Sequence, residues 1–321
     1  MVRTTVQGNY PKISSNRDDP NLRATLNRLD SGKAAPEDVE VVIQQTIQRV
    51  VREQEQAGID LITDGQIRWS DLVTPLAKEI DGFEIGGLIR FFDNNTYYRR
   101  PIVKGALKWT GPILARQWQA ASAIASKPVK QVIPGPYTFA TLSLDEHYGD
   151  KAKLTNALAD ILAEEVRALD AAGCREIQID EPSVCYADGE IDMARRALDT
   201  VLDVTSATKT LWFYFGRMTA PLTRFLDADV TRIGVDVVSW PENWEAVRNT
   251  KFPGEVCLGC FDARNTKIED PSAIAKMIDA VSANGVWIAP NAGLEFLPHD
   301  RALRKLNAIT ATAAKYNGGS R

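Results

Sequence analysis

Two adjacent carboxylates, Asp180 and Glu181, follow the apolar run that ends the segment REIQID at residues 175–180. Burying an unpaired charge is costly, so carboxylates at the end of an apolar strand need a partner or a function. They can hold a substrate cation or transfer a proton. The structural alternative is that Asp180 caps the next turn, or that one carboxylate pairs with an arginine. We expect both residues to be catalytic.

The aromatic run TLWFYFGRM, Thr210–Met218, carries a second group of candidates. Tyr214 can exchange a proton with a substrate, and Trp212 can offer a stacking surface. Arg217 is one of five arginines expected near the same edge of the fold, with Arg68, Arg99, Arg100 and Arg264. Guanidinium groups suit a carboxylate or phosphate on a ligand, although each of them could equally form an ordinary salt bridge.

Metal-ligating residue types are sparse. The two histidines, His147 and His299, are far apart in the chain, and we expect both to be structural. Cys257 and Cys260 form a Cys-x-x-Cys pair inside a predicted strand, where residues three apart point to opposite faces. The sequence therefore predicts no metal site.

Short β-type runs alternate with segments of helical periodicity along the chain. This alternation predicts parallel strands joined by helical crossovers. Eight runs in 321 residues favour a (β/α)₈ TIM barrel over a doubly wound sheet, and no G-x-G-x-x-G follows the first strand. The predicted strands are residues 4–9, 59–64, 130–135, 175–180, 210–215, 230–235, 255–260 and 285–290.

Residues 83–105 interrupt this alternation. Aromatic and β-branched residues flank an Asp-Asn-Asn turn there, which predicts a β-hairpin inserted after the second strand. We find no linker of Pro, Gly and Ser and no internal repeat. Residues 1–321 are therefore predicted to form a single (β/α)₈ barrel domain.

Active sites of such barrels lie at the carboxyl ends of the strands. This rule turns the strand ends into a set of candidate substrate-binding residues. They are Asn9, Gln66, Arg68, Tyr137, Trp212, Arg217, Asp262 and Asn291.

The composition excludes several classes of protein. A net charge of −4 without a basic cluster excludes a typical nucleic-acid-binding protein. No apolar run approaches the roughly 20 residues that cross a bilayer, and the first residues do not resemble a signal peptide. Four cysteines in 321 residues fit a reducing compartment. We expect a cytoplasmic protein with a small-molecule substrate and no membrane partner. Whether the protein forms a homo-oligomer stays open.

Several of these segments resemble the cobalamin-independent methionine synthase (MetE-like) family, in its catalytic C-terminal barrel and its short stand-alone forms. The resemblance covers nearly the whole chain, and its most specific motifs are VIPGPYTFATLS and IQIDEP. Further motifs are TTVQGNYP, LITDGQIRWSD, YYRRPIV, LGCFDARN and APNAGLEFLP. The family implies a barrel related to uroporphyrinogen decarboxylase and methyl transfer to homocysteine, activated as a zinc thiolate.

The residues that the family uses to bind zinc are replaced in this chain. Its His-x-Cys pair falls on Trp212 and Tyr214, and its final Cys falls on Ala292. Its Glu falls on Gly234, or on Asp236 if the alignment slips by two residues. None of these positions holds a good zinc ligand, and whether Asp236 could support a residual metal site stays open.

The amino-acid pocket of the family is altered as well. Gly8-Asn9 stands where the family has Gly-Ser, and Gln66 stands where a glutamate helps to hold the substrate ammonium. Asp180 and Glu181 remain.

These replacements favour a zinc-independent methyl or one-carbon transferase. Its acceptor would be a small molecule other than homocysteine, a folate-type donor is one candidate cosubstrate, and no tightly bound cofactor is expected. One alternative is a metal-free lyase or decarboxylase acting on a small carboxylate. Another is the ordinary methyl transfer from 5-methyltetrahydrofolate to homocysteine.

Overall fold

Apolar β-type runs form strands at nearly all of the predicted places in the computed structural model, which describes residues 1–218 and 221–318. Buried strands of a barrel read as continuous apolar runs because helices cover their outer face. The ten strands are β1 (Arg3–Thr4), β2 (Asp81–Arg90), β3 (Tyr97–Lys108), β4 (Gln131–Pro134), β5 (Leu144–Asp145), β6 (Glu176–Asp180), β7 (Thr208–Phe213), β8 (Arg232–Asp236), β9 (Glu255–Phe261) and β10 (Gly285–Pro290).

Seven of these strands form one parallel sheet in the order β1-β10-β9-β8-β7-β6-β4. The second predicted strand, residues 59–64, joins the two edges of this sheet. Leu61 forms a parallel bridge with Thr5 after β1, and Ile62 forms one with Val129 before β4. The sheet therefore closes into a barrel of eight strand positions, of which residues 59–64 provide the second. This confirms the predicted (β/α)₈ barrel over the doubly wound alternative.

The inserted hairpin lies between the second barrel strand, residues 59–64, and the third, β4. It consists of β2 and β3, which pair antiparallel from Asp81 opposite Lys108 to Arg90 opposite Tyr97. The short strand β5 extends it by pairing parallel to β3 at Ile102 and Val103. The observed hairpin, residues 81–108, is slightly longer than the predicted segment, and its tip bends over the carboxyl ends of the barrel strands.

Helices cover the outside of the barrel. Their bounds are α1 (Leu22–Asp30), α2 (Pro36–Ala57), α3 (Thr74–Ala77), α4 (Ala115–Ile124), α5 (Pro136–Leu142), α6 (Lys151–Ala171), α7 (Ile191–Leu202), α8 (Pro241–Arg248), α9 (Pro271–Asp279) and α10 (His299–Gly318). The long periodic segments became α2 and α6 as predicted, and Gly58 ends α2 in the left-handed conformation, with φ 86°. None of the described helices is long and apolar enough to cross a membrane.

Candidate functional site

Asp180 is the last residue of β6 and lies at the carboxyl end of the barrel with 1% of its surface exposed. Its carboxylate accepts hydrogen bonds from three side chains. Tyr214 Oη donates to Oδ2 at 3.0 Å, Gln178 Nε2 donates to Oδ1 at 2.8 Å, and Gln7 Nε2 also donates to Oδ2. A buried carboxylate with three donors is held in one position, which suits a group that exchanges a proton with a neighbour.

A buried lysine underlies this carboxylate. Lys130 Nζ donates to Gln178 Oε1 at 2.6 Å, and Gln178 in turn donates to Asp180. Burial lowers the pKa of Lys130 to about 8 and raises the pKa of Asp180 to about 7. The desolvation of the carboxylate outweighs the lowering by its donors and by the lysine charge. Asp180 therefore changes charge near neutral pH.

Glu181 has a different environment from its neighbour. Its carboxylate accepts from the backbone N–H groups of Tyr137 at 3.1 Å and Thr138 at 2.8 Å, and from Thr138 Oγ1 at 2.6 Å. These are donors of the first turn of α5, which lack partners within the helix. Burial raises the pKa of Glu181 to about 7. These bonds occupy the Glu181 carboxylate and hold it against the N-terminus of α5, while its predicted catalytic role stays a prediction.

A cavity of about 200 Å³ opens above Asp180, between the strand ends and the tip of the hairpin. Tyr214 and Gln7 form part of its wall, so Asp180 lies one residue layer beneath the cavity and reaches it through them. The full lining is Gln7, Asn9, Ser70, Asp71, Leu72, Phe91, Asn95, Thr96, Tyr97, Tyr214, Phe215, Gly293, Glu295 and Phe296.

Two of the eleven predicted site residues, Asn9 and Tyr214, line this cavity. Asn9 is held against the loop after β10, where its carbonyl accepts from Leu294 N at 2.9 Å. Gly293 is needed there because a Cβ on it would lie 2.8 Å from Asn9 Cβ. Tyr214 follows β7, and burial with the adjacent Asp180 charge raises its pKa well above the usual value.

The predicted arginines do not reach the cavity wall. Arg68 forms a bidentate pair with Glu40 of α2, with Nη1 at 2.6 Å from Oε2. Arg217 is 60% exposed, lies 3.3 Å from Glu242 and packs over the Trp240 ring. Arg68 and Arg217 thus each have a carboxylate partner outside the cavity lining, and their predicted role in substrate binding stays a prediction.

Three further candidates are buried but lie outside the cavity lining. Tyr137 points to the outer layer, where its hydroxyl donates to Glu190 at 2.6 Å. Gln66 has a positive φ of 50° and lies against Gly8, with its Oε1 2.7 Å from where a Gly8 Cβ would lie. Trp212 is fully buried within the barrel.

The last two candidates organise loops. Asp262 Oδ1 accepts from the backbone of Arg264 at 2.9 Å, which closes its own turn. Asn291 Oδ1 accepts from Ala263 N at 2.8 Å, and its Nδ2 donates to Asp236 Oδ1 at 3.1 Å. These bonds explain why both residues follow strands without contributing to the cavity wall.

Several residues of the cavity wall are absent from the predicted site. Gln7 and Glu295 lie within the motifs TTVQGNYP and APNAGLEFLP, so their position in those motifs was an available signal. Phe91, Asn95 and Tyr97 come from the hairpin, whose fold back over the barrel is a long-range contact that no local pattern reveals.

The sequence matches the family described as the cobalamin-independent synthase catalytic domain over residues 2–213. A methionine synthase from Sulfolobus acidocaldarius is 28% identical over 97% of this chain and 91% of the relative. The methionine synthase of Sulfurisphaera tokodaii is also 28% identical, over 97% and 92% of the two chains.

Among solved structures, a B12-independent methionine synthase from Shewanella sp. W3-18-1, in complex with selenomethionine, superposes with a TM-score of 0.81. It is 21% identical in sequence and covers 99% of this chain and 98% of its own. The shared barrel and the family match over most of the chain together confirm the resemblance drawn from the motifs. The chain is an enzyme that belongs to the cobalamin-independent methionine synthase family.

Proposed function

We propose that this protein is a zinc-independent methyltransferase whose acceptor is a small molecule other than homocysteine. The observation that carries the proposal is the packing of Trp212 against Gly234. These residues are cross-strand partners on β7 and β8, at two positions where the resemblance implies zinc ligands. A Cβ on Gly234 would lie 2.3 Å from Cε3 of the Trp212 indole.

This contact bears on the metal because the indole fills the space that a longer side chain at position 234 would need. Ala292 has no ligating atom, so Asp236 is the one carboxylate at the remaining aligned positions. Its Oδ1 accepts from Val238 N and Ser239 N, while its Oδ2 has no partner among the described residues. Across residues 1–218 and 221–318, no three His, Cys, Asp or Glu side chains are grouped to hold a metal ion. The donor set does not fit zinc.

Without zinc, Tyr214 and Asp180 offer a route for protons. An acceptor in the cavity can donate its proton to Tyr214 Oη while the tyrosine proton passes to Asp180 Oδ2, 3.0 Å away. The pKa of Asp180, about 7, allows it to take this proton and to release it again at neutral pH. The proton is then available to the leaving group, the atom of the donor from which the methyl group has departed.

A folate-type methyl donor is the cosubstrate that the family resemblance supports, and it requires no tightly bound cofactor. The donor's N–CH₃ bond breaks, the electron pair stays on the donor nitrogen, and the acceptor forms the new bond to carbon. The donor nitrogen then takes up the proton held by Asp180. The reaction thus needs one proton carrier and two small molecules.

Methionine synthesis is the second candidate, because relatives with that name align over 97% of the chain. In this site, however, a homocysteine thiol would have no zinc to lower its pKa. The lyase alternative has less support, since it relied on arginines to bind a carboxylate. Arg68 and Arg217 are paired with Glu40 and Glu242 instead.

Metal content separates the first two candidates. We expect purified protein to contain well under one zinc per chain and to keep its methyltransferase activity after dialysis against a strong chelator. Elemental analysis and activity with candidate acceptors before and after chelation provide the measurements. Stoichiometric zinc, with loss of methyl transfer to homocysteine on chelation and recovery on adding zinc, would instead establish methionine synthesis.

A further inference from the structure

The cavity wall has an unusual charge balance. Its charged side chains are the carboxylates Asp71 and Glu295, and its described lining includes no Lys, Arg or His. The Asp71 carboxylate also serves its own loop, because Oδ1 accepts from Thr74 N at 2.7 Å. Glu295 lines the cavity beside Asn9, and burial raises the pKa of its carboxyl above the usual value. The lining therefore carries two carboxylates and no cationic side chain, while Lys12, outside the lining, interacts electrostatically with both of them.

One arginine packs against the aromatic part of the wall without being part of the lining. Arg264 donates to Asn94 Oδ1 at 3.0 Å and to Ser239 Oγ at 2.9 Å, and its guanidinium packs 5.6 Å from the Phe215 ring centre. Lys12 interacts electrostatically with Glu295 and Asp71, but burial lowers its pKa, and its Nζ donates to the carbonyl of Trp69 instead of to either carboxylate. A substrate carboxylate in the cavity would therefore find no cationic side chain in the lining.

Aromatic rings make up much of the remaining wall. Phe215 is their centre, with ring centres of Tyr214 at 4.6 Å, Phe296 at 6.0 Å and Phe91 at 6.1 Å. Tyr97 adds a fifth ring from the hairpin. Aromatic faces together with a carboxylate bind alkylated cations, because the ring faces carry negative electrostatic potential and the alkyl groups are apolar.

We propose that the methyl acceptor is an amine, bound in this cavity as an alkylated cation. This inference rests on the proposed function, since it names the acceptor of that same site. The ammonium of a secondary or primary amine gives its proton to Asp180 through Tyr214. The free nitrogen lone pair then takes the methyl group from the folate-type donor, and the new N–CH₃ bond restores the positive charge on the nitrogen.

This chemistry accounts for the absence of suitable zinc ligands at the aligned positions. A neutral amine is a nucleophile without metal activation, whereas a thiol must first become a thiolate. Positive charge develops on the amine nitrogen in the transition state. Glu295 and the rings around Phe215 are placed to stabilise that charge as it appears.

The test measures binding alone, with a charged and a neutral probe of the same shape. Choline and its neutral isostere 3,3-dimethylbutan-1-ol differ in the charge of one quaternary centre. We expect choline to bind about 10-fold tighter in isothermal titration calorimetry. Glu295→Gln should weaken choline binding by about 5-fold and leave the alcohol unchanged. The control Glu164→Gln, at a half-exposed carboxylate of α6, should change neither.

Phe296→Leu keeps an apolar side chain and removes one ring, so it should also reduce the preference for choline. Thermal unfolding of each variant shows whether it has folded. Equal affinity for the two probes, or a preference for the alcohol, would overturn the assignment of an amine acceptor. Because no turnover is measured, this result is independent of the zinc and activity measurements that test the proposed function.

Discussion

Replacing Asp180 by asparagine is expected to reduce methyl transfer by about 10²- to 10⁴-fold, the usual contribution of a positioned acid–base group. The asparagine keeps the shape of the side chain but cannot take the proton that Tyr214 passes on at 3.0 Å. In the wild-type protein the rate should fall below pH 7, as Asp180 becomes protonated around its pKa of about 7. Initial rates between pH 5 and 9 provide the measurement.

The same substitution, which lowers activity, should raise the stability of the folded protein at high pH. The folded-state pKa of Asp180 is raised from 3.8 to about 7, so the folded protein binds this proton more tightly than the unfolded chain. The stability that this proton contributes to the wild-type protein is therefore lost as pH rises from about 4 to about 7. This loss is at most on the order of 4 kcal/mol for a pKa shift of about three units. The Asp180→Asn variant carries no charge at this position and avoids this loss.

The Asp180→Asn variant loses one hydrogen bond, because the new amide nitrogen cannot accept from a donor; this costs about 1 kcal/mol. We expect the variant to be slightly less stable than wild type at pH 4 and more stable by about 1–3 kcal/mol at pH 8. Urea denaturation at both pH values measures this crossing. A variant with full activity, or with a pH-independent change in stability, would contradict the assigned role of Asp180.

Gly135→Ala is expected to destabilise the fold by about 3 kcal/mol or more. Gly135 has φ −76°, which any residue adopts, so the effect is purely steric. An added Cβ would lie 2.0 Å from Cδ of Glu181 and would drive the carboxylate from the backbone N–H groups of Tyr137 and Thr138. The helix α5 would lose its N-terminal partner within the core.

Gly87→Ala is the matched control, because nothing lies within 4 Å of the Cβ that it would add on the hairpin strand β2. Its free energy of unfolding should stay within about 0.5 kcal/mol of wild type. Denaturant unfolding of both variants gives the comparison. Equal stabilities would show that Glu181 does not hold α5 as described.

The barrel was predictable because its evidence is local. Apolar runs such as Leu211–Phe213 are buried on both faces, and the long amphipathic segments between them must cross over the sheet. The hairpin was predictable for the same reason, since its β-type residues flank a turn. Short elements such as α5 were not predicted, because seven residues are too few to show a clear helical period.

The sequence alone determined the family and the barrel, because both are carried by residue types at fixed places along the chain, and it also led to the proposal that the zinc-ligand positions are replaced. The roles of the two adjacent carboxylates needed the tertiary structure. Asp180 lies beneath Tyr214 and Gln7, whereas Glu181 faces the N-terminus of α5. The cavity, too, is seen only in the tertiary structure, since hairpin and strand-end residues far apart in the chain meet there. Such contacts form only when the hairpin folds back over the closed barrel, and no local pattern of residues reveals that long-range packing.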